Sequence, residues 1–217
     1  GYGVPTHYSL MLVEESARAG YCALSTAISC HSEIAAPYIQ HIGTEEQKQY
    51  WLPKMVSGEV VGAIGMTEPG AGSDLAGLKT KAVLEGDTWI INGQKIWTSG
   101  AHYCDYGILV TRSDPSAQKH KGLTYFFIDM KSPGVECRPI KQISGGANFN
   151  EVYFTDVKIP DEQRLGAVGD GWKVALTTLM NERLAVGDAS GPDFQEAFNL
   201  ACEHDLNGEL AIKDGYV

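Results

Sequence analysis

The apolar residues change period twice along the chain, which demands three kinds of structure in series. Before Gly58 they recur at three- and four-residue spacing. Leu10, Val13 and Ala17 follow Pro5, a residue suited to a first helical turn, and Gly20 ends that pattern. A second apolar-rich segment runs from Cys22 to Ile42 and stops at Gly43. Thr44-Glu45-Glu46-Gln47 has the form of a capping box, in which hydroxyl and amide reciprocally satisfy the free N–H groups of a helix start. The helix it opens is expected to turn Tyr50, Leu52 or Trp51, and Met55 inward and to end at Gly58, with Pro53 kinking or shortening it.

From Val60 the period shortens. Val60–Met66, Leu78–Leu84, Thr88–Ile91, Gln94–Trp97, Tyr106–Arg112, Leu123–Met130 and Asn150–Val157 are short, rich in β-branched or aromatic residues, and separated by turn formers. Asn92-Gly93 reads as a two-residue hairpin turn, since both residue types tolerate positive φ. Seventeen of the 25 glycines lie between Gly58 and Gly171, as a turn-rich β region requires. After Pro160 helical spacing returns in Trp172–Val186, closed by Gly187, and over 193–204 after Gly191-Pro192. The predicted fold class is therefore α+β and multidomain: helical over 1–59, an antiparallel β-sandwich or small barrel over 60–160, and the start of a helical bundle over 161–217. The absence of an initiating methionine and the short last helical part lead us to expect a piece of a longer chain.

Several functions are disfavoured by composition. Lys+Arg number 17 against 27 Asp+Glu, a net charge of -10, which argues against a broad nucleic-acid surface but leaves room for a local basic pocket. No apolar run reaches the roughly 18 residues of a membrane span, and no secretory leader is visible. Five scattered cysteines without a C-x-x-C pair read as reduced thiols of an intracellular protein. The six histidines lack metal-ligand spacing, and Lys119-His120-Lys121 reads as an exposed basic loop.

The most informative stretch is Gly65-Met66-Thr67-Glu68-Pro69-Gly70-Ala71-Gly72-Ser73-Asp74-Leu75-Ala76-Gly77. A strand enters a loop whose glycines allow close backbone approach, and whose N–H groups and Thr67 and Ser73 hydroxyls suit an anion. A long turn capped by Ser73 and Asp74 is the plain alternative. The segment following it reads as a strand, and no Gly-Lys-Ser/Thr follows, so neither a dinucleotide fingerprint nor a P-loop is present. By itself, Trp97 would be a buried strand tryptophan, and Asn181-Glu182-Arg183 a solvated helix surface.

The 65–77 segment resembles the signature of the acyl-CoA dehydrogenase family. Ile90-Ile91-Asn92-Gly93-Gln94-Lys95-Ile96-Trp97-Thr98-Ser99-Gly100, Val152–Pro160, Gly169-Asp170-Gly171-Trp172 and Gly43–Lys48 are similar to further stretches of that family, so the likeness covers about 5–190. It implies an FAD-dependent enzyme that desaturates an acyl-CoA thioester at its α,β bond in fatty acid β-oxidation. It also implies an electron-transfer flavoprotein as partner, a homo-oligomer in the full-length form, and a cytoplasmic or mitochondrial-matrix location. Met66, Thr67, Gly72, Ser73, Trp97, Thr98 and Ser99 would contact the flavin, with Ser73 and Arg183 also near the acyl-CoA. Glu182 matches the catalytic base of the isovaleryl-CoA and long-chain branches; other branches carry theirs further downstream, past Val217. An oxidase passing electrons to oxygen and a non-catalytic anion-binding β module are the alternative readings.

Overall fold

The computed structural model describes residues 7–185, 194–206 and 208–213, with backbone alone at 22–23, 178, 181–185 and 206. Pro5, Gly187, Gly191 and Pro192, which frame helices in the sequence, lie outside the described residues. Contacts divide the chain into two units, Cys30–Ala185 and a smaller one drawn from both ends, Gly1–Ser29 with Val186–Val217. The smaller unit begins with helices α1 (His7–Arg18) and α2 (Cys22–Ser29), which pack together.

The larger unit opens with a π-helical stretch, Cys30–Ala35, that passes directly into α3 (Ala36–Ile42). Helix α4 (Glu45–Ser57) starts on the expected capping box: Gln47 N–H donates to Thr44 Oγ1 at 3.2 Å, and Gln47 Oε1 accepts from Thr44 N–H at 2.9 Å. Gly58 closes it in the left-handed region, φ +76°. Pro53 lies inside α4 without ending it. Trp51 and Met55 face inward, but Tyr50 is 53% exposed, its ring under the Lys54 ammonium at 3.7 Å. The inward stripe runs through Gln47, Trp51 and Met55 at four-residue spacing, and Tyr50 falls beside it.

Eight strands follow: β1 (Gly62–Gly65), β2 (Lys81–Glu85), β3 (Thr88–Lys95), β4 (Tyr106–Arg112), β5 (Leu123–Asp129), β6 (Val135–Ile140), β7 (Phe149–Pro160) and β8 (Arg164–Leu165). They form one sheet in the order β6-β7-β3-β2-β4-β5-β8, with β1 on β4. The sheet is mixed and not wholly antiparallel, because β1 lies parallel to β4, with Gly62 opposite Tyr106, and β2 meets β4 in parallel at Lys81 and Arg112.

The expected turn at Asn92-Gly93 is not a turn. Strand β3 runs straight through it, and the hairpin to β2 closes at Gly86-Asp87, with Gly86 at φ +66°. The register with β7 shifts between Ile91 and Gly93, where the bulge belongs to β7: Thr155 and Asp156, the latter at φ +49°, lie opposite the single Asn92. Asn92 Nδ2 donates to Asp156 Oδ1 at 2.9 Å, and Asp156 N–H donates back to Asn92 Oδ1 at 3.0 Å. Glycine is needed at 93 because a Cβ there would lie 2.6 Å from the Thr80 Cα, at φ +154°.

Strands β4 and β5 are buried on both faces, which explains their unbroken apolar runs. One face, with Ile108, Val110, Tyr125 and Phe127, packs under Tyr38, Ile39, Trp51 and Met55 of α3 and α4 and Val174 of α5 (Gly171–Ala185). The other, with Leu109, Phe126 and Ile128, meets Trp89, Ile91, Val152, Phe154 and Val157, so the folded sheet encloses a second core. In the smaller unit, α6 (Phe194–Glu203) leads into a two-stranded ribbon, β9 (Asp205–Leu206) and β10 (Glu209–Leu210).

The end of β7 is fastened by Asp161, whose carboxylate accepts from Trp89 Nε1 at 2.7 Å and from Arg164 Nε and Nη2 at 2.8 and 3.0 Å. These bonds, Arg164 foremost, hold the Asp161 carboxyl down to about 2. A depressed carboxyl stabilises the fold above its ordinary 3.8, and the gain is lost as pH falls toward about 2. The whole shift corresponds to about 2 kcal/mol. Because the side chain is 38% exposed, solvent screening leaves about 1 kcal/mol. Asp161→Asn should therefore lose about 1 kcal/mol at neutral pH in urea unfolding, and the difference should vanish near pH 2.

Candidate functional site

A cavity of about 450 Å³ opens in the larger unit, between the π-helical stretch, β1 and its following loop, the segment after β3, and α5. Its walls are mostly apolar, from Ile34, Ala35, Ile64, Leu75, Ile96 and Leu179. The π-helical wall contributes Cys30, Ile34 and Ala35, and such wide turns recur at functional sites.

The structure brings Met66, Thr67, Gly72, Ser73, Trp97 and Ser99 to this one cavity. Glu68-Pro69-Gly70-Ala71 is a tight turn, with Glu68 N–H donating to Ala71 O at 2.9 Å and Ala71 N–H to Glu68 O at 3.1 Å. It folds Gly72 and Ser73 back beside Thr67. A Cβ on Gly72 would meet no protein atom within 4 Å, and its φ lies outside the left-handed region. The chain's own packing does not require glycine there; what it leaves is room for a ligand. No hydrogen bond from the Thr67, Ser73 or Ser99 hydroxyl reaches another described residue.

Trp97 is not a buried strand tryptophan. It is 56% exposed and sits at φ +61°, a conformation a bulky residue adopts only when its surroundings impose it. The imposing contacts lie on either side. Ile96 N–H donates to Thr67 O at 2.9 Å, and Thr98 exchanges two backbone bonds with Asn150, at 3.0 and 3.1 Å. Phe149 meets the Trp97 ring edge to face at 6.3 Å.

Thr98 does not line this cavity. Both its backbone groups are spent on Asn150, whose Nδ2 also donates to Thr98 O at 2.9 Å. Its side chain is buried and lines a separate space of about 10 Å³ inside the second core. Trp97 and Ser99, on either side of it, line the first cavity instead. Glu182 and Arg183 lie on α5, but their side chains lie outside the described residues. Their backbone positions fall three and four residues after the cavity-lining Leu179, hence on the same helix face.

Sequence reasoning missed an ion pair beneath the site. Lys95, fully buried, donates from Nζ to Glu68 Oε1 at 2.8 Å and to Met66 O at 3.1 Å. Glu68 also accepts the backbone N–H groups of Lys79 at 2.5 Å and Thr80 at 2.9 Å. Burial pushes the Lys95 ammonium down to about 8 against the opposing pull of Glu68. Burial alone would raise the Glu68 carboxyl, but the Lys95 charge and the bonds from Lys95, Thr80 and Lys79 leave it below the usual range. A signal did exist: Trp89, Ile91 and Lys95 share one strand parity, and an inward lysine requires a buried acid. His120 is likewise not simply exposed, because its ring stacks at 3.8 Å on Trp172, another cavity residue. No group of three or more His, Cys, Asp or Glu among the described residues could hold a metal.

The larger unit thus joins a helical lead-in to a folded β-sheet and a mostly apolar cavity that holds an exposed tryptophan and three hydroxyls unbonded to any described residue. Residues 1–59 match the N-terminal domain of acyl-CoA dehydrogenases, and residues 63–157 match their middle domain. The chain belongs to the acyl-CoA dehydrogenase family. Acyl-CoA dehydrogenase FadE34 of Mycobacterium tuberculosis is 47% identical over 175 residues, 80% of this chain and 25% of that protein. Acyl-CoA dehydrogenase IpdE1 of Mycolicibacterium smegmatis is 38% identical over 225 residues, 99% of this chain and 55% of that one. The crystal structure of an acyl-CoA dehydrogenase from Geobacillus kaustophilus superposes with a TM-score of 0.83 at 33% identity, over 100% of this chain and 58% of that one. The chain spans about half the length of most curated relatives it matches, and a quarter of FadE34. No described helix is long and apolar enough to cross a membrane.

Proposed function

We propose that the full-length protein is an FAD-dependent acyl-CoA dehydrogenase, and that this cavity takes the reacting ends of flavin and thioester. The observation that carries the reading is the exposed, strained Trp97 facing the same cavity as the hydroxyls of Thr67, Ser73 and Ser99. A simple anion site has no use for an aromatic platform. Those residues fit a flavin: an open indole face for its ring system, unpartnered donors for its polar edge, and space at Gly72 for close backbone approach.

When bound, the flavin supplies the acceptor for the hydride that leaves the acyl β-carbon. Thr67 and Ser99 donate hydrogen bonds toward negative charge gathering at the ring. Ile34, Ala35, Ile64 and Leu75 give the acyl chain a dry wall, where hydrogen bonds to the thioester oxygen act most strongly. Glu182 takes the α-proton, and Arg183 lies by the CoA end. An electron-transfer flavoprotein would be the partner that accepts the electrons.

The test is anaerobic mixing of purified full-length protein with acyl-CoA thioesters. Loss of the flavin's visible absorption, followed by slow recovery in air, is the expected result. Fast recovery with peroxide formation would favour an oxidase, and no bound flavin at all would favour the anion-binding module. Gly72→Val gives a second check. Its Tm should stay near that of the parent, because nothing surrounds that Cβ, while FAD affinity drops about tenfold or more, about 1.4 kcal/mol. A variant that binds FAD normally would move the flavin away from the 67–73 loop.

A further inference from the structure

Neither Glu68 nor Lys95 lines the cavity, yet both flank residues that do. Three successive residues of the loop are tied to two successive residues at the end of β3. Lys95 Nζ donates to Met66 O at 3.1 Å and Glu68 Oε1 at 2.8 Å, while between them Ile96 N–H donates to Thr67 O at 2.9 Å. Glu68 then reaches the far end of the loop, accepting Lys79 and Thr80 N–H, and Thr80 Oγ1 donates to Gln94 O at 3.2 Å. The loop is thus closed into a ring and fastened at both ends to β3, which leads into Trp97.

Stability alone does not account for an ionic pair here. Burying two charges costs several kcal/mol of hydration, and apolar residues of similar volume often serve a core equally well. What an apolar pair cannot do is donate to a carbonyl on one side of Thr67 while gripping the carboxylate on its other side. We propose that Glu68 and Lys95 are positioning residues, a clamp that sets the Thr67 hydroxyl against the Trp97 ring. The clamp rests on the reading of the cavity as a flavin site, but its geometry can be tested without flavin.

The test uses the full-length protein and two measurements. In the wild type without flavin, the Lys79, Thr80 and Ile96 amides should exchange with deuterium through one shared opening and show similar protection. Ile96 exchanging fast while Lys79 and Thr80 stay protected would overturn the clamp. In variants, Lys95→Met should lose thermal stability, and the double change Glu68→Gln with Lys95→Met should regain most of it. That double variant should still exchange the Ile96 amide about tenfold faster and bind FAD about tenfold more weakly than wild type. A double variant with recovered Tm, wild-type exchange and wild-type affinity would reject the proposal. If its Tm does not recover, the wild-type exchange pattern decides. A wild type that binds no FAD would sink the flavin reading, with the amide exchange still judging the clamp.

Discussion

Glu182→Gln should lower turnover of acyl-CoA by about 10²- to 10⁴-fold in the full-length protein, with FAD content and KM little changed. Glutamine keeps the length and hydrogen-bonding capacity of the side chain and removes only its ability to hold a proton. A loss confined to kcat is therefore the signature of a missing base, whereas a misfolded helix would lose flavin as well. The placement comes from the register of α5: Leu179 lines the cavity, and position 182 follows it by three residues on the same helix face. Near-normal turnover in both Glu182→Gln and Glu182→Ala would reject Glu182 as the base and direct the search past Val217.

Glu68→Ala should destabilise the fold by about 3–5 kcal/mol at pH 7, the range for breaking one side of a buried ion pair. That is a large part of the roughly 5–15 kcal/mol that holds a domain together. The change strands the Lys95 ammonium and leaves the Lys79 and Thr80 N–H groups without acceptors. The deficit also carries a pH signature. Burial already pulls Lys95 to about 8 and Glu68 opposes that pull, so in the variant Lys95 sheds its proton at lower pH. From there up to the 10.5 of an ordinary lysine, the unfolded chain binds more protons than the folded one, and stability rises with pH. Urea unfolding at about pH 7 and about pH 9 should show the variant recovering part of its loss. A variant as stable as wild type at pH 7 would show that the pair carries no such weight.

What could be read in the sequence was whatever local chemistry decides. The Thr44 capping box, the Gly58 stop and the helical spacing from Trp172 each concern a few neighbouring residues, and the structure has all three, the last as α5 to Ala185. The Asn92-Gly93 reading went wrong because two partners compete for those residues. Their turn propensity is real, but pairing of β3 with β2 and β7 carries the strand past them, and the bulge there falls on Thr155 and Asp156 of β7. Edge strand β6 went unseen because its alternating Val135-Glu136-Cys137-Arg138-Pro139-Ile140 carries a proline, tolerated only where one side of a strand lacks a partner. At the site, the glycine-rich loop drew attention by composition, and Trp97 only through the family resemblance. The Glu68–Lys95 pair did not, because its meaning depends on a contact across 27 residues that no local pattern announces.

The parallel pairing of β1 with β4 bears on how the protein emerges from the ribosome. Gly62 waits for Tyr106, 44 residues further on, and at about 5–20 residues per second that interval lasts about 2–9 s. Through that time Gly62–Gly65 has no strand beside it, whereas α3 and α4 are already made and carry Tyr38, Ile39, Trp51 and Met55 uncovered. Nascent chains are thus most exposed to mispairing just before β4 arrives.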